Sequence, residues 1–350
     1  MKFTHLLETK QATASVPCRV DFGGTLDIST FYLPLAHLCP ASFNISLDMR
    51  TYVTLSPWAE GRIKVSSRGF DSAEFHREEL RFDHPMGLMF AIAQYFNAHG
   101  VHIQINSTSP PQSALGGSSS AAVAIIAAFF DALSQKINPE KIAWLAHYIE
   151  SSVAGVPCGV QDQAAAAFGG VNLWEWKMGE TGPMFKKVSV FPEKQDVEEL
   201  NDHILVAYCG IPHVSKDINK QWVNSFVQGK TMRIFKKIVE ITKDFSRALK
   251  NKNFGLAGEL MITETGLRLE MTPEVLDKTG KKLFERAGKE NCGARFTGAG
   301  GGGCLWAVGE KDDISRLRNA WQALLESTED GKILDTRIDT MGIDTNNILI

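Results

Sequence analysis

The sequence predicts a two-domain protein of mixed helices and strands, and three observations carry that prediction. A strand-like run at 101–106 feeds a loop of small residues, and the loop opens a long, apolar, Ala-rich helix at 123–133. Strand and helix patterns alternate along the rest of the chain. The 350 residues can bury a large core and suffice for two domains, with a polar connection at 192–201 that places the boundary near residue 195, giving 1–195 and 196–350.

Composition narrows the class. Hydrophobic residues are 44% and charged residues 22%, as in ordinary globular chains. A formal net charge of -3 makes no electrostatic case for nucleic acid or an anionic membrane. No apolar run is long enough for a bilayer span, and the N-terminus lacks a signal peptide's apolar core, so a cytoplasmic location is expected. The six cysteines are scattered without a CxxC pair, which weakens disulfide-framework and metal-cage readings.

Residues 13–21 suit a strand that ends in Arg19-Val20-Asp21-Phe22-Gly23-Gly24-Thr25-Leu26-Asp27. The glycines permit a tight turn with Arg19 and Asp27 near its mouth. A surface ion-pair partner and a turn-former are the plainer readings of these two. Residues 43–55 and 62–67 alternate as strands, expected to pair as a hairpin across 57–61, and 86–98 has helical periodicity. The loop Pro111-Gln112-Ser113-Ala114-Leu115-Gly116-Gly117-Ser118-Ser119-Ser120 then leads into the Ala-rich helix. Helix N-termini present unpaired N–H groups and partial positive charge. Small residues let a phosphate approach, and serine hydroxyls can add hydrogen bonds or a metal ligand. The loop reads as an anion cradle for a nucleotide's phosphates; a Ser N-cap on a core helix is the structural alternative.

An amphipathic helix is expected over 141–152, ending near Gly155. Glu150 lies near its C-terminus, where the helix dipole disfavours a carboxylate and a cation would remove the penalty; a solvated Glu is the alternative. Asp162 is the only acid between Glu150 and Glu175 and sits among Ala, Val and Phe, so it needs a partner or a task, or else caps the Ala-rich helix. Strands are expected at 171–176, 185–191 and 204–208. Helices are expected at 214–227, 231–250, 255–269 and from Pro273 to about residue 287. The run Gly298-Ala299-Gly300-Gly301-Gly302-Gly303 is entropically costly unless its backbone lies close to something, and the strand expected at 305–308 argues against a flexible linker. A helix at 314–325 and strands at 333–338 and 347–350 complete the chain.

Taken together and in order, the segments 19–27, 111–122, 150–163 and 297–304 resemble the GHMP kinases, the superfamily of galactokinase, homoserine kinase, mevalonate kinase and phosphomevalonate kinase. The middle loop resembles their phosphate-binding motif, with Ala114 and Gly117 where the family has Gly and Ser. The glycine run at 298–303 resembles their third motif. Gly155-Val156-Pro157-Cys158-Gly159 with Asp162-Gln163 is similar to galactokinase catalytic loops, whereas Gln161-Asp162-Gln163 through Phe168-Gly169-Gly170-Val171-Asn172 is more similar to D-glycero-D-manno-heptose 7-phosphate kinases and fucose kinases. The galactokinase Gly-Glu-His-x-Asp signature is absent. Gly23-Gly24-Thr25-Leu26-Asp27 resembles the heptose-kinase Gly-Gly-Thr-Asp turn with Leu26 inserted. His213 stands where a similar heptose-kinase segment carries Arg, and a neutral His cannot grip a phosphate as a guanidinium does.

The resemblance implies an α+β fold, with a left-handed β-α-β phosphate-binding unit in a mixed α/β N-terminal domain and a ferredoxin-like α+β C-terminal domain, and ATP with Mg2+ as cofactors. It implies that Asp162 takes the proton of a sugar hydroxyl, expected to be anomeric, and that Arg19 sits beside it and stabilises developing charge. Ser118 and Glu150 align with the family's Mg ligands. Pro111, Leu115, Gly116, Gly117, Ser118, Ser119 and Ser120 would cradle phosphates, together with Gly298, Gly300 and Gly301. Gly24, Thr25, Asp27, Gln163 and His213 would face the sugar. The implied activity is an ATP-dependent sugar kinase, heptose 7-phosphate kinase-like, with galactokinase or fucose kinase as alternatives, a mevalonate-type kinase disfavoured by the catalytic loop, and a non-catalytic sugar sensor as the non-enzyme rival. A Rossmann oxidoreductase and a Walker-type NTPase lack their signatures here. The partners implied are ATP and a small sugar, with no nucleic acid and no membrane.

Overall fold

The computed structural model describes residues 3–155, 157–212 and 218–346. Two sheets organise it. The larger holds β1 (Ala12–Phe22), β2 (Ala41–Pro57), β3 (Arg62–Ser67), β4 (Phe70–His76), β5 (Val101–Ser107), β6 (Val171–Gly179) and β7 (Gly182–Ser189). Its order is β4-β3-β5-β2-β6-β7, with β1 paired antiparallel to β2. The smaller holds β8 (Ile204–Tyr208), β9 (Gly293–Phe296), β10 (Cys304–Val308) and β11 (Lys332–Ile333), in the order β11-β8-β10-β9.

The helices are α1 (Thr4–Thr9), α2 (Ser29–Tyr32), α3 (Gly87–Tyr95), α4 (Gly117–Ala132), α5 (Pro139–Ala154), α6 (Gln161–Phe168), α7 (Lys194–Leu200), α8 (Ile218–Val227), α9 (Met232–Lys250), α10 (Phe254–Met271), α11 (Lys278–Lys289) and α12 (Lys311–Leu325). Helix α4 is apolar on every side, and it is buried accordingly, from Ser119 through Phe130. Helix α5 has the ends its sequence specifies: Asn138 accepts from Lys141 N–H, Pro139 takes the first position and Gly155 closes it at φ +65°.

Several expectations are corrected. Strands β2 and β3 do not form a hairpin, because β5 inserts between them, parallel to β3 and antiparallel to β2. Strand β3 pairs instead with β4, which the sequence reading missed. The polar connection contains α7. The helix expected from Pro273 is a short 3-10 turn (Pro273–Val275), and α11 starts only at Lys278, where Asp277 caps Gly280 N–H. Within 333–338 only Ile333 belongs to a strand; beyond β11 the chain returns to the larger sheet, with Ile338 bridging Leu47 and Asp344 bridging Ser15. The strand expected at 347–350 lies outside the described residues, as do the first residues of the helix expected from 214.

Strand β1 positions the site. Pro17 cannot donate to the ladder, and the β1–β2 register shifts between Pro17 and Cys18. Beyond that shift, Cys18, Val20 and Phe22 enter an apolar core cluster. The alternation of side chains puts Arg19 and Asp21 on the opposite face.

Candidate active site

Strand β1, the loop before α4, and α6 meet around Arg19. Its Nε and Nη2 donate to Asp162 Oδ1 and Oδ2, each at 2.8 Å, and Nη1 donates to Ala114 O at 2.7 Å. The guanidinium is almost wholly buried, with Asp21 Oδ1 at 3.6 Å. Burial works against its charge, but Asp162 and Asp21 outweigh burial and hold its pKa above the usual range. The fork geometry fixes the Asp162 carboxylate in one plane.

Helix α4 begins at Gly117, preceded by Gly116 at φ +78°, and no side chain caps it. Three residues of the preceding loop adopt left-handed backbone: Gln112 at φ +53°, Ala114 at +61° and Gly116 at +78°. Ala114, standing where the family has Gly, therefore takes the conformation a glycine would favour. At Gly117 a Cβ would meet no atom within 4 Å, so the approach to the helix start is open there.

Glu150 projects from α5 toward that start. Its Oε2 accepts from Ser119 Oγ at 2.8 Å and from Gln163 Nε2 at 2.6 Å. Burial raises its pKa, with Asp162 adding to the rise against these hydrogen bonds. Asp27 ends the turn after β1. Its Oδ2 accepts Gln161 N–H at 2.9 Å at the start of α6, while Oδ1 is buried without a partner. Burial pushes its carboxyl up to about 7, against the bond from Gln161, with Asp162 adding to the rise. Cys158 sits in the same acidic surroundings, its thiol pushed up to about 12 by burial, then by Glu150, Asp27 and Asp162.

These groups line one cavity of about 420 Å³. Arg19, Thr25, Asp27, Pro111, Gly116 to Ser119, Glu150, Asp162, Gln163 and Gly298 all reach it. Other expected residues serve beside it. Leu115 is a core side chain whose carbonyl accepts Arg19 N–H, and the Ser120 hydroxyl donates to Pro17 O, tying α4 to β1. Gly24 packs against Asp21, while Gly300 and Gly301 pack against Val275. Gln163, expected at the acceptor, turns to Glu150 and Ser119. His213 lies outside the described residues.

Sequence reasoning missed Asp21, whose Oδ1 accepts Gly298 N–H at 2.6 Å and so anchors the glycine run. It also missed Asn219 on α8, which lines the cavity with a buried, unpartnered Oδ1. The cavity is also lined by the apolar side chains of Phe70, Pro85, Met86, Met89, Ile105 and Pro110. None of these stands in a motif; only their convergence marks them.

The cavity suits a magnesium-bound polyphosphate. An uncapped helix start faces it, and Ser118 with Glu150 supplies hard oxygen donors. Among the described residues no group of three or more His, Cys, Asp and Glu side chains could hold a metal, so further ligands would come from phosphate and water.

The description "GHMP kinases N terminal domain" matches residues 84–170, and "GHMP kinases C terminal" matches 245–327. The chain is 28% identical over 289 residues to a mevalonate kinase of Thermococcus onnurineus strain NA1, covering 75% of this chain and 81% of that one. It is 24% identical over 275 residues to the D-glycero-alpha-D-manno-heptose 7-phosphate kinase of Campylobacter jejuni, covering 75% and 79%. In fold it is similar to Lactococcus lactis galactokinase complexed with galactose, with a TM-score of 0.75 at 19% identity over 98% of this chain and 97% of that one.

Proposed function

The chain belongs to the GHMP kinases, and from that premise we propose that it transfers the γ-phosphoryl group of ATP to a hydroxyl of a sugar or sugar phosphate. Heptose 7-phosphate kinase-like activity is the leading form of this reading, and galactokinase or fucose kinase activity the alternative. The observation that carries it is the Arg19–Asp162 fork, held between the start of α4 and Asp27 in one cavity.

Bound ATP would supply the phosphoryl group, with Mg2+ held by the Ser118 hydroxyl and Glu150 to neutralise its charge. The first-turn N–H groups of α4 would receive the phosphates. The apolar wall from Phe70 to Pro110 suits the flat face of the base. Asp162 would accept the acceptor's hydroxyl proton on a carboxylate oxygen while Arg19 keeps that carboxylate oriented. The buried oxygens Asp27 Oδ1 and Asn219 Oδ1 call for O–H donors, which a sugar provides. The same acceptor pair favours a sugar over a mevalonate-type acceptor, whose carboxylate would meet Asp27. The mevalonate-type reading remains the second one because of the relative at 28% identity. A cytoplasmic location belongs to this proposal; among the described residues no helix is long and apolar enough to cross a membrane.

An ADP-release assay with ATP, Mg2+ and a panel of galactose, fucose, mannose, heptose 7-phosphate and mevalonate tests the reading. Acceptor-dependent ADP release from a sugar is expected. Asp162→Asn should fold normally and lose about 100-fold or more of turnover. ADP release only with mevalonate would select the second reading, and near-normal turnover by Asp162→Asn would remove the base assignment.

A further inference from the structure

A row of buried charges runs behind the site, and its C-terminal members belong to none of the motifs read from the sequence. Glu264 and Arg268 stand on α10 and Arg295 on β9, all three fully buried. Glu264 Oε1 accepts from Arg268 Nε and Oε2 from Arg295 Nε, both at 2.8 Å. Arg295 Nη1 donates to Asp21 Oδ2 at 3.1 Å, and Asp21 lies 3.6 Å from Arg19, the partner of Asp162. Along this row the signs alternate through Arg268, Glu264, Arg295, Asp21, Arg19 and Asp162. Charges compensated in this way tolerate burial.

The open end of the row grips the acceptor turn. Arg268 Nη2 donates to Gly24 O at 2.7 Å, and Nη1 donates to Thr25 Oγ1 at 3.2 Å. Thr25 holds φ +74°, a region that a β-branched residue avoids and keeps only when its surroundings over-determine it. Asp27 follows two residues later. The Arg268 guanidinium also lies 4.6 Å from the ring centroid of Trp222 on α8, the helix that carries Asn219 to the cavity. The phosphate loop hangs on other bonds, from Arg19 N–H to Leu115 O and from Cys304 N–H to Ser113 O.

We infer that Arg268 is a positioning residue for the acceptor: from the second half of the chain it holds the turn bearing Asp27, and the helix bearing Asn219, in register with Asp162. The inference rests on the kinase reading above. It requires a guanidinium, because one planar fork serves Glu264, Gly24 and Thr25 at once, and a lysine ammonium presents a single point.

The test compares wild type with Arg268→Lys in full kinetics, varying MgATP and, separately, the sugar of the panel turned over best. Leu317→Ala, a fully buried core truncation on α12, serves as a control for lost stability. For Arg268→Lys the acceptor KM should rise by about tenfold or more while the MgATP KM stays within about twofold; Leu317→Ala should move neither. Amide hydrogen exchange of the apo proteins should quicken across 23–28 in Arg268→Lys and stay unchanged across 115–120. If Arg268→Lys fails to fold, Thr25→Val removes one of its bonds, Nη1 to Oγ1; because Thr25 also lines the cavity, the deciding readout is then apo exchange across 23–28, which should quicken and which a lost sugar contact would leave unchanged. An unchanged acceptor KM, an equal rise in both KM values, or unchanged exchange at the turn would overturn the inference. If wild type turns over no acceptor, the kinase reading fails, and the exchange comparison decides the positioning role independently.

Discussion

Asp27 shows how much one carboxyl can tell. It is buried, half satisfied and raised to about 7 from an ordinary value of 3.8, with burial as the leading cause. A carboxyl whose pKa is higher in the folded protein than in the unfolded chain favours folding while protonated. That advantage fades as pH rises through the window from about 4 to about 7. Asp27→Asn retains an acceptor for Gln161 N–H and does not titrate. Between pH 4 and pH 7, wild type should therefore lose stability relative to the variant by at most about 1.4 kcal/mol per pH unit. Denaturant melts at pH 4.5, 6 and 8 measure this; a difference constant across the three would contradict it. Glu150 shifts in the same direction, so the variant keeps part of the slope.

The loop into α6 and the turn after β1 fit each other only because one position lacks a side chain. A Cβ on Gly159 would lie 1.7 Å from Asp27 Oδ2 and 2.1 Å from its Cγ. Gly159→Ala must therefore push Asp27 off the start of α6, while the helix-start cradle of α4 stands apart. The expected outcome is a loss of about tenfold or more in kcat/KM for the acceptor, with MgATP binding by calorimetry within about twofold of wild type. The sequence reading reached this loop by resemblance, yet it had no means of seeing why residue 159 is glycine, since the constraint comes from a residue 132 positions earlier.

The row from Arg268 to Asp162 joins α10 and β9 to β1 and α6, so it spans both sheets. Glu264 is its hinge of charge: burial works against its ionised form, but Arg295 and Arg268 hold its carboxyl below the usual range. Glu264→Gln would leave two buried guanidiniums short of a counter-charge and should cost about 3–5 kcal/mol. Chemical denaturation should report it as a lowered midpoint in one cooperative transition. A variant as stable as wild type, or one that melts in two steps, would show that the row does not bind the halves together.

What the sequence alone determined were the local signals. Small residues before an apolar helix, an isolated acid in an Ala-rich stretch and a glycine run before a strand each reflect backbone or burial constraints acting within a few residues. The resemblance that their order carries implied the α+β architecture and pointed to Arg19, Asp27, Ser118, Glu150 and Asp162, all of which line one cavity, while their roles belong to the proposal. Only the tertiary structure decided that β5 separates β2 from β3, that Gln163 turns to Glu150, and that Asp21, Asn219, Glu264, Arg268 and Arg295 support the site. The reason is physical. Partners such as Arg268 and Gly24 stand 244 residues apart, and no local pattern records which buried charge will meet which loop.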